Sequence, residues 1–174
     1  SGCTPTTAFI DMEINNVRAG IGVGGILWFN SSNLNAQYEI PKNSGKHSLY
    51  AGALWIGGTD ANGNIVVAAQ TYRQTGEDFW GGPIDPSNCD ITPATCVAYD
   101  AIWKVTKQEV QDFINGQPAT PGILNYPGNS PYSGSLAPYV DVNNNQTYDP
   151  TGGDYPAFDL TGNYTNGYNN YLHG

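Results

Sequence analysis

Glycine and proline punctuate this chain so closely that few segments are long enough for a helix. Gly occurs 22 times and Pro 12 times in 174 residues. The one convincing exception is TKQEVQDFIN at 106–115. Thr106 stands at the N-cap position with Glu109 three residues later, the spacing at which two side chains satisfy the open N–H groups of a first helical turn. Val110, Phe113 and Ile114 fall on one face, and Gly116 ends the pattern. Elsewhere, short runs of β-branched and aromatic residues lie between turn residues. The expected fold is therefore mainly β: a β-sandwich-like domain with one short α-helix at about 107–115 and long ordered loops. A single β-rich domain is expected over 1–156, then a polar, aromatic tail at 157–174 that reads as an edge strand or a linker.

Val17, Ala19, Ile21 and Val23 alternate as a strand does, and the glycines at 20, 22, 24 and 25 point to a bulge or a close backbone approach rather than a helix. GIGVGG opens no helix, so it is not read as a phosphate loop. AQYEI at 36–40 is a short strand stopped by Pro41. The strongest hairpin signal joins HSLYAGALWIGG to IVVAAQTYRQ through Asn62-Gly63, a pair that accepts the positive φ of a tight turn. Asp60, Asn62 and Asn64 alternate like metal ligands, but no acid closes the set, and a bare turn is expected there. CVAYDAIWKV at 96–105 reads as a further strand. Trp28, Trp55 and Trp103 fall within strand patterns and are assigned to the core.

The formal net charge is −9, with only 6 Lys and Arg. These cations are scattered and form no basic stripe, which argues against nucleic acid as a partner. No apolar run reaches transmembrane length, so membrane insertion is not expected. A cation is the natural small partner of such an acidic surface. No leader is visible at SGCTPTTAF, which suits a mature exported chain. Cys89 and Cys96 flank DITPAT, a spacing that predicts a local disulfide in an oxidising compartment. Closing a loop of about eight residues contributes about 2.5 kcal/mol by chain entropy. Cys3 is then the odd cysteine, either free or paired with sequence not present here. Its SGC context matches the end of a lipoprotein cleavage site, but two residues precede it, and a turn or disulfide role is favoured.

The stretch DVNNNQTYDPTGGDYP at 141–156 places oxygen-bearing side chains at alternate positions. With Asp141 first, Asn143, Asn145, Thr147 and Asp149 occupy the third, fifth, seventh and ninth places of a calcium loop, Thr147 through its carbonyl. The closing Glu of an EF-hand is missing, and Asp154 stands as the residue that closes the shell instead. Calcium is the expected cofactor, in the weak extracellular range on the order of 10⁻⁴–10⁻³ M. A plain Asx-rich turn is the competing reading, since Asn and Asp bond their own backbone.

Nothing points to catalysis. His47 and His173 are the only histidines and lie in no metal-ligand or triad pattern. Glu77-Asp78 beside Phe79-Trp80 resembles a glycosidase pairing only superficially, because adjacent residues seldom face each other. Trp80, in a Gly-rich loop, is the candidate glycan contact, and a carbohydrate-binding module is the alternative function.

Several stretches, INNVRAGI, YEIPKNSGKHSLYAGALWIGG, VAAQTYRQTGEDFWGGPID, YDAIWKV and LAPYVDVNNNQTYDPTGGDYP, occur in this order. Together they resemble the N-terminal region of large secreted Bacteroidota surface proteins that carry a C-terminal type IX secretion sorting domain. The resemblance covers most of 10–156. It implies export to the cell surface and a non-catalytic structural or adhesive role. The implied partners are other domains of the same protein or neighbouring subunits, in a larger assembly or filament. In that family the loop before GDYP is richer in Asp at the positions of Asn143 and Asn145, which implies a cation site that is weaker in this copy. The Trp-rich continuation and sorting domain of the family are not in this sequence, so the 174 residues are expected to be a portion of a longer protein.

Overall fold

The computed structural model describes residues 2–70, 78–132 and 134–157. The chain is mainly β, with 27% strand and 14% helix. It divides into two compact units, 1–102 and 103–174.

The first unit is built on a six-stranded antiparallel sheet. It comprises β1 (Phe9–Met12), β2 (Arg18–Gly22), β3 (Ile26–Leu27), β6 (Tyr38–Glu39), β7 (His47–Leu49) and β8 (Gly52–Ala53). β2 is the hub: β1 pairs along it from Met12↔Ala19 to Phe9↔Gly22, while β6 and β3 pair with it at Ala19↔Tyr38 and Ile21↔Leu27. The expected close approach is at Gly20, where a Cβ would stand 2.7 Å from Phe9 Cε1. Arg18 faces Glu39 across the sheet, with Nε 3.0 Å from the buried Oε2, and reaches Asp11 at 3.9 Å. The N–H of Gly45 holds the Glu39 carboxyl below its ordinary value against the opposing effect of burial, and Asn43 N–H, Arg18 and His47 add to it. Phe29, in the short hairpin of β4 (Phe29–Asn30) and β5 (Asn35–Ala36), is fully buried. Trp28 is half-buried, edge-on to Tyr38 with ring centres 5.3 Å apart.

The hairpin at Asn62-Gly63 forms as expected, from β9 (Trp55–Thr59) and β10 (Ile65–Ala69). Gly63 has φ 84°, and the Asp60 carboxylate accepts the N–H groups of Asn62 and Asn64 and the Asn64 amide, each at 2.8 Å. The Asp60 carboxylate, with the Asn64 amide and the Asn62 and Asn64 N–H groups, closes the expected turn. Trp55, assigned to the core from its strand pattern, is instead 70% exposed, because β9 and β10 form a two-stranded sheet of their own. Trp103 is exposed as well, in a segment assigned to neither strand nor helix.

The segment expected as a strand at 96–105 is corrected too. Its first residues belong to α1 (Pro93–Ala98), capped by Thr92, whose side chain accepts the Thr95 N–H. Thr followed by Pro at the first helical position is a helix start, and it outweighs the apparent alternation that follows. The helix brings about a second correction: the disulfide joins Cys3 to Cys96, with Cα atoms 5.9 Å apart, and Cys89 is free and exposed. Cys89 is held in a separate turn, φ 55°, where its N–H is given to Asp85 O at 2.8 Å. Asp100 fastens the same N-terminal segment, accepting the Thr7 N–H at 2.8 Å and the Ala8 N–H at 2.9 Å. Burial raises the Asp100 pKa, and the Ala8 and Thr7 donors outweigh it, leaving the carboxyl below its ordinary value.

The second unit contains the expected helix, α2 (Lys107–Ile114), with both halves of the Thr106–Glu109 capping box in place. Glu109 Oε1 also accepts the hydroxyl of Thr120, the N-cap of α3 (Pro121–Leu124), at 3.0 Å. A two-stranded sheet of β11 (Tyr139–Val140) and β12 (Tyr155–Pro156) completes the unit. Val110, Ile123, Val140 and Tyr148 form its core. The chain between β11 and β12 is the acidic loop.

Candidate functional site

The acidic loop is a long connection between two short paired strands, and it is closed almost wholly by its own carboxylates. Asp141 follows β11 directly and is 3% exposed. Its Oδ1 accepts the Asn145 N–H at 3.2 Å and its Oδ2 accepts the Gln146 N–H at 2.8 Å. Asp154 precedes β12 and is 0% exposed. Its two oxygens accept the N–H groups of Val142 and Asp149, both at 2.9 Å. One buried carboxylate thus holds the two sides of the loop together.

Asp149 caps a 3-10 turn at Pro150–Gly152 through the Gly152 N–H. Its other oxygen is met by the Asn145 amide at 3.1 Å and the Asn143 amide at 3.3 Å. The Gly152 N–H holds the Asp149 carboxyl below its ordinary value against burial, assisted by Asn145, Thr151 and Asn143. The Asn143 and Asn145 side-chain Oδ1 atoms accept the N–H groups of Asn145 and Thr147, at 3.1 and 2.8 Å. Gln146, sixth from Asp141, has φ 61°, the left-handed backbone that an EF-hand loop assigns to glycine.

Sequence reasoning did not single out Tyr148, which anchors this loop. Its hydroxyl donates to Ile123 O at 2.7 Å, its N–H donates to Asn129 Oδ1, and its carbonyl accepts the Asn129 amide at 2.9 Å. Its ring packs between Tyr126 and Tyr139. Burial foremost, then Tyr126 and Asp154, pushes the Tyr148 phenol up. Tyr139 is pushed up as well, by burial and then by Asp141 and Asp154. The only sequence signal for the anchor was an aromatic residue inside a polar run.

The structure therefore brings Asn143, Asn145 and Asp149 together at one edge, with Asp141 and Asp154 buried behind them as backbone acceptors. Neither buried carboxylate has a Lys, Arg or His in ion-pair range among the described residues. The donors are hard oxygens, the chemistry calcium takes. Their arrangement, however, is that of a loop closed on its own backbone. Among the described residues, no three His, Cys, Asp or Glu side chains are placed to hold one metal ion.

The other candidates lie apart from this loop. Trp80 is half-buried at 78–82. It is not among the walls of a cavity of about 40 Å³ lined by residues including Thr6, Ala8, Phe9, Gly24 and Asn30. Asp78 is engaged structurally, accepting the Ala69 N–H at 2.8 Å. His47 lies on the exposed edge strand β7. Glu77, His173 and the tail from 158 onward lie outside the described residues. No family model matches the chain, and comparison with curated proteins and with solved structures yields no match.

Proposed function

We propose that this chain is a non-catalytic structural or adhesive module of an exported cell-surface protein, with its acidic loop stapled by calcium. The observation that supports export is the Cys3–Cys96 bridge, which closes a sequence separation of 93 residues. Such bridges persist in oxidising compartments and are rare in reducing ones. The resemblance to surface proteins of the type IX secretion class points the same way. In this reading Asp141, Asn143, Asn145, Asp149, Asp154 and the Thr147 carbonyl supply oxygens. Calcium would bring the positive charge that the two buried carboxylates lack among the described residues, where an unpaired buried charge is costly. Asn143 and Asn145 meet it by turning their amides so that oxygen replaces nitrogen beside Asp149.

Thermal melting with and without a chelator tests the calcium staple. A dissociation constant on the order of 10⁻⁴–10⁻³ M and about 10 mM calcium give about 1.4–2.7 kcal/mol of stabilisation, several degrees in midpoint. An unchanged midpoint refutes the staple and leaves export untouched. Export is tested by making the chain in a reducing and in an oxidising compartment. A fully reduced chain that melts with the oxidised one removes the support that the bridge lends.

A further inference from the structure

Cys89 stands seven residues before Cys96, yet the fold bonds Cys96 to Cys3, at a sequence separation of 93. In an unfolded chain the preference runs the other way. Closure becomes rarer as the 3/2 power of loop length. A Cys89–Cys96 loop of about eight residues therefore closes about 40-fold more often than a Cys3–Cys96 loop of about 94. The folded protein carries the pair that the free chain forms least readily, and it keeps the competing thiol beside it.

Tertiary structure in the first unit reverses that preference. Folding parts the two neighbouring cysteines: Cys96, in α1, is 3% exposed, while Cys89 is exposed in a turn closed by the Asp85↔Asp90 bridge. Cys3 is laid against the start of α1. Its Sγ lies 3.8 Å from Thr92 O, and a Cβ on the adjacent Gly2 would stand 3.3 Å from Pro93 Cγ. Asp100 accepts the Thr7 and Ala8 N–H groups, and the Ala8 carbonyl accepts the Val23 N–H at 3.1 Å, beside β2. Cys3 therefore meets Cys96 only when the N-terminal segment, α1 and the sheet are assembled together. The free thiol stays close by in the chain, since no more than about 11 Å of extended backbone separates Cys89 from Thr92.

We propose that the three cysteines form a disulfide shuttle coupled to folding, with Cys89–Cys96 as the bridge of the unfolded chain and Cys3–Cys96 as that of the folded one. The first bridge is made when a small-molecule disulfide oxidises Cys89 and Cys96 and is itself reduced to two thiols. As the first unit folds, the Cys3 thiolate attacks Cys96 Sγ. The Cys3–Cys96 bond forms, the Cys89–Cys96 bond breaks, and Cys89 leaves as a thiolate that takes a proton from water. One disulfide is broken and one made, so this step needs neither oxidant nor reductant. Burial of Cys96 then closes its sulfur to the returning Cys89 thiolate, and unfolding reopens it. The shuttle goes beyond the structural-module reading and does not rest on calcium.

Peptide mapping of the bridge after an acid quench is the test. In urea at about pH 8, where a thiolate is available, and with no thiol reagent, the oxidised chain should move its bridge to Cys89–Cys96, at least tenfold over Cys3–Cys96. Dilution out of urea, again with no reagent, should return the bridge to Cys3–Cys96 at a rate independent of protein concentration. Alkylator added before the urea caps the exposed Cys89 and should hold the native pair in place. Cys89→Ser, reduced and then reoxidised with oxidised glutathione, should form Cys3–Cys96 several-fold more slowly than the natural chain, with its melting midpoint within a few degrees. A bridge that stays at Cys3–Cys96 in urea overturns the proposal. So does a Cys89–Cys96 bridge that returns only when thiol is added, or a Cys89→Ser chain that reoxidises as fast as the natural one.

Discussion

Asp154 accepts one backbone N–H on each carboxylate oxygen, from Val142 and from Asp149, with no solvent to replace either bond. Asn at this position keeps one acceptor and turns an NH2 group toward the other N–H, leaving two donors facing. Hydrogen bonds to a charged group are worth about 1.5–3 kcal/mol, so Asp154→Asn should lower stability by about 2 kcal/mol, read as a lower urea midpoint. The loss is expected with or without calcium, because these two bonds are made by the protein alone. Asp149 presents a contrasting case: it lies at the exposed rim and meets two amides, so its role is the one a cation would change.

At the scale of the element, α2 depends on its start. It has eight residues, too few to be stable in isolation, and the Thr106–Glu109 box satisfies the donors that its first turn leaves open. Glu109 also takes the Thr120 hydroxyl, so the cap of α2 and the cap of α3 share one carboxylate. Thr106→Ala should cost about 1 kcal/mol, measured as a fall in the chemical-denaturation midpoint. Thr120→Ala should cost a comparable amount through α3, and the two losses should not add, since both alter the surroundings of Glu109.

Over the whole chain, the disulfide and the carboxylates set stability. The pairing is checked by alkylating the unfolded, unreduced protein: Cys89 alone should take the label. Cys3→Ser releases a loop of roughly 94 residues, worth about 4.6 kcal/mol by chain entropy, and should lower the melting midpoint strongly. Glu39, Asp60, Asp85, Asp100, Glu109 and Asp149 are all held below their ordinary values of 3.8 for Asp and 4.5 for Glu. The unfolded chain therefore binds more protons near pH 4. The stabilisation from these groups is full above the unfolded values and is lost as pH falls through the lowered folded ones. Melting midpoints should be flat from pH 7 to about 5 and fall steeply below about 4, even though protonation relieves the net charge of −9.

Local chemistry was legible in the sequence. The capping box at Thr106, the hairpin at Asn62-Gly63, the close approach at Gly20 and the mainly β character all follow from residue type and spacing within a few positions. So did the oxygen-rich alternation of 141–154, in which Asn143, Asn145 and Asp149 converge. What needed the tertiary structure was everything set by distant partners. Cys96 pairs with Cys3 rather than its neighbour Cys89, because α1 carries Cys96 toward the N-terminal segment that Asp100 also holds. Trp55 shares the alternation of a buried strand residue yet is exposed, because periodicity reports which face a side chain occupies but not whether another layer covers it. Asp141 and Asp154 look like exposed ligands in sequence and are buried acceptors in the fold, because the loop's own N–H groups reach them first.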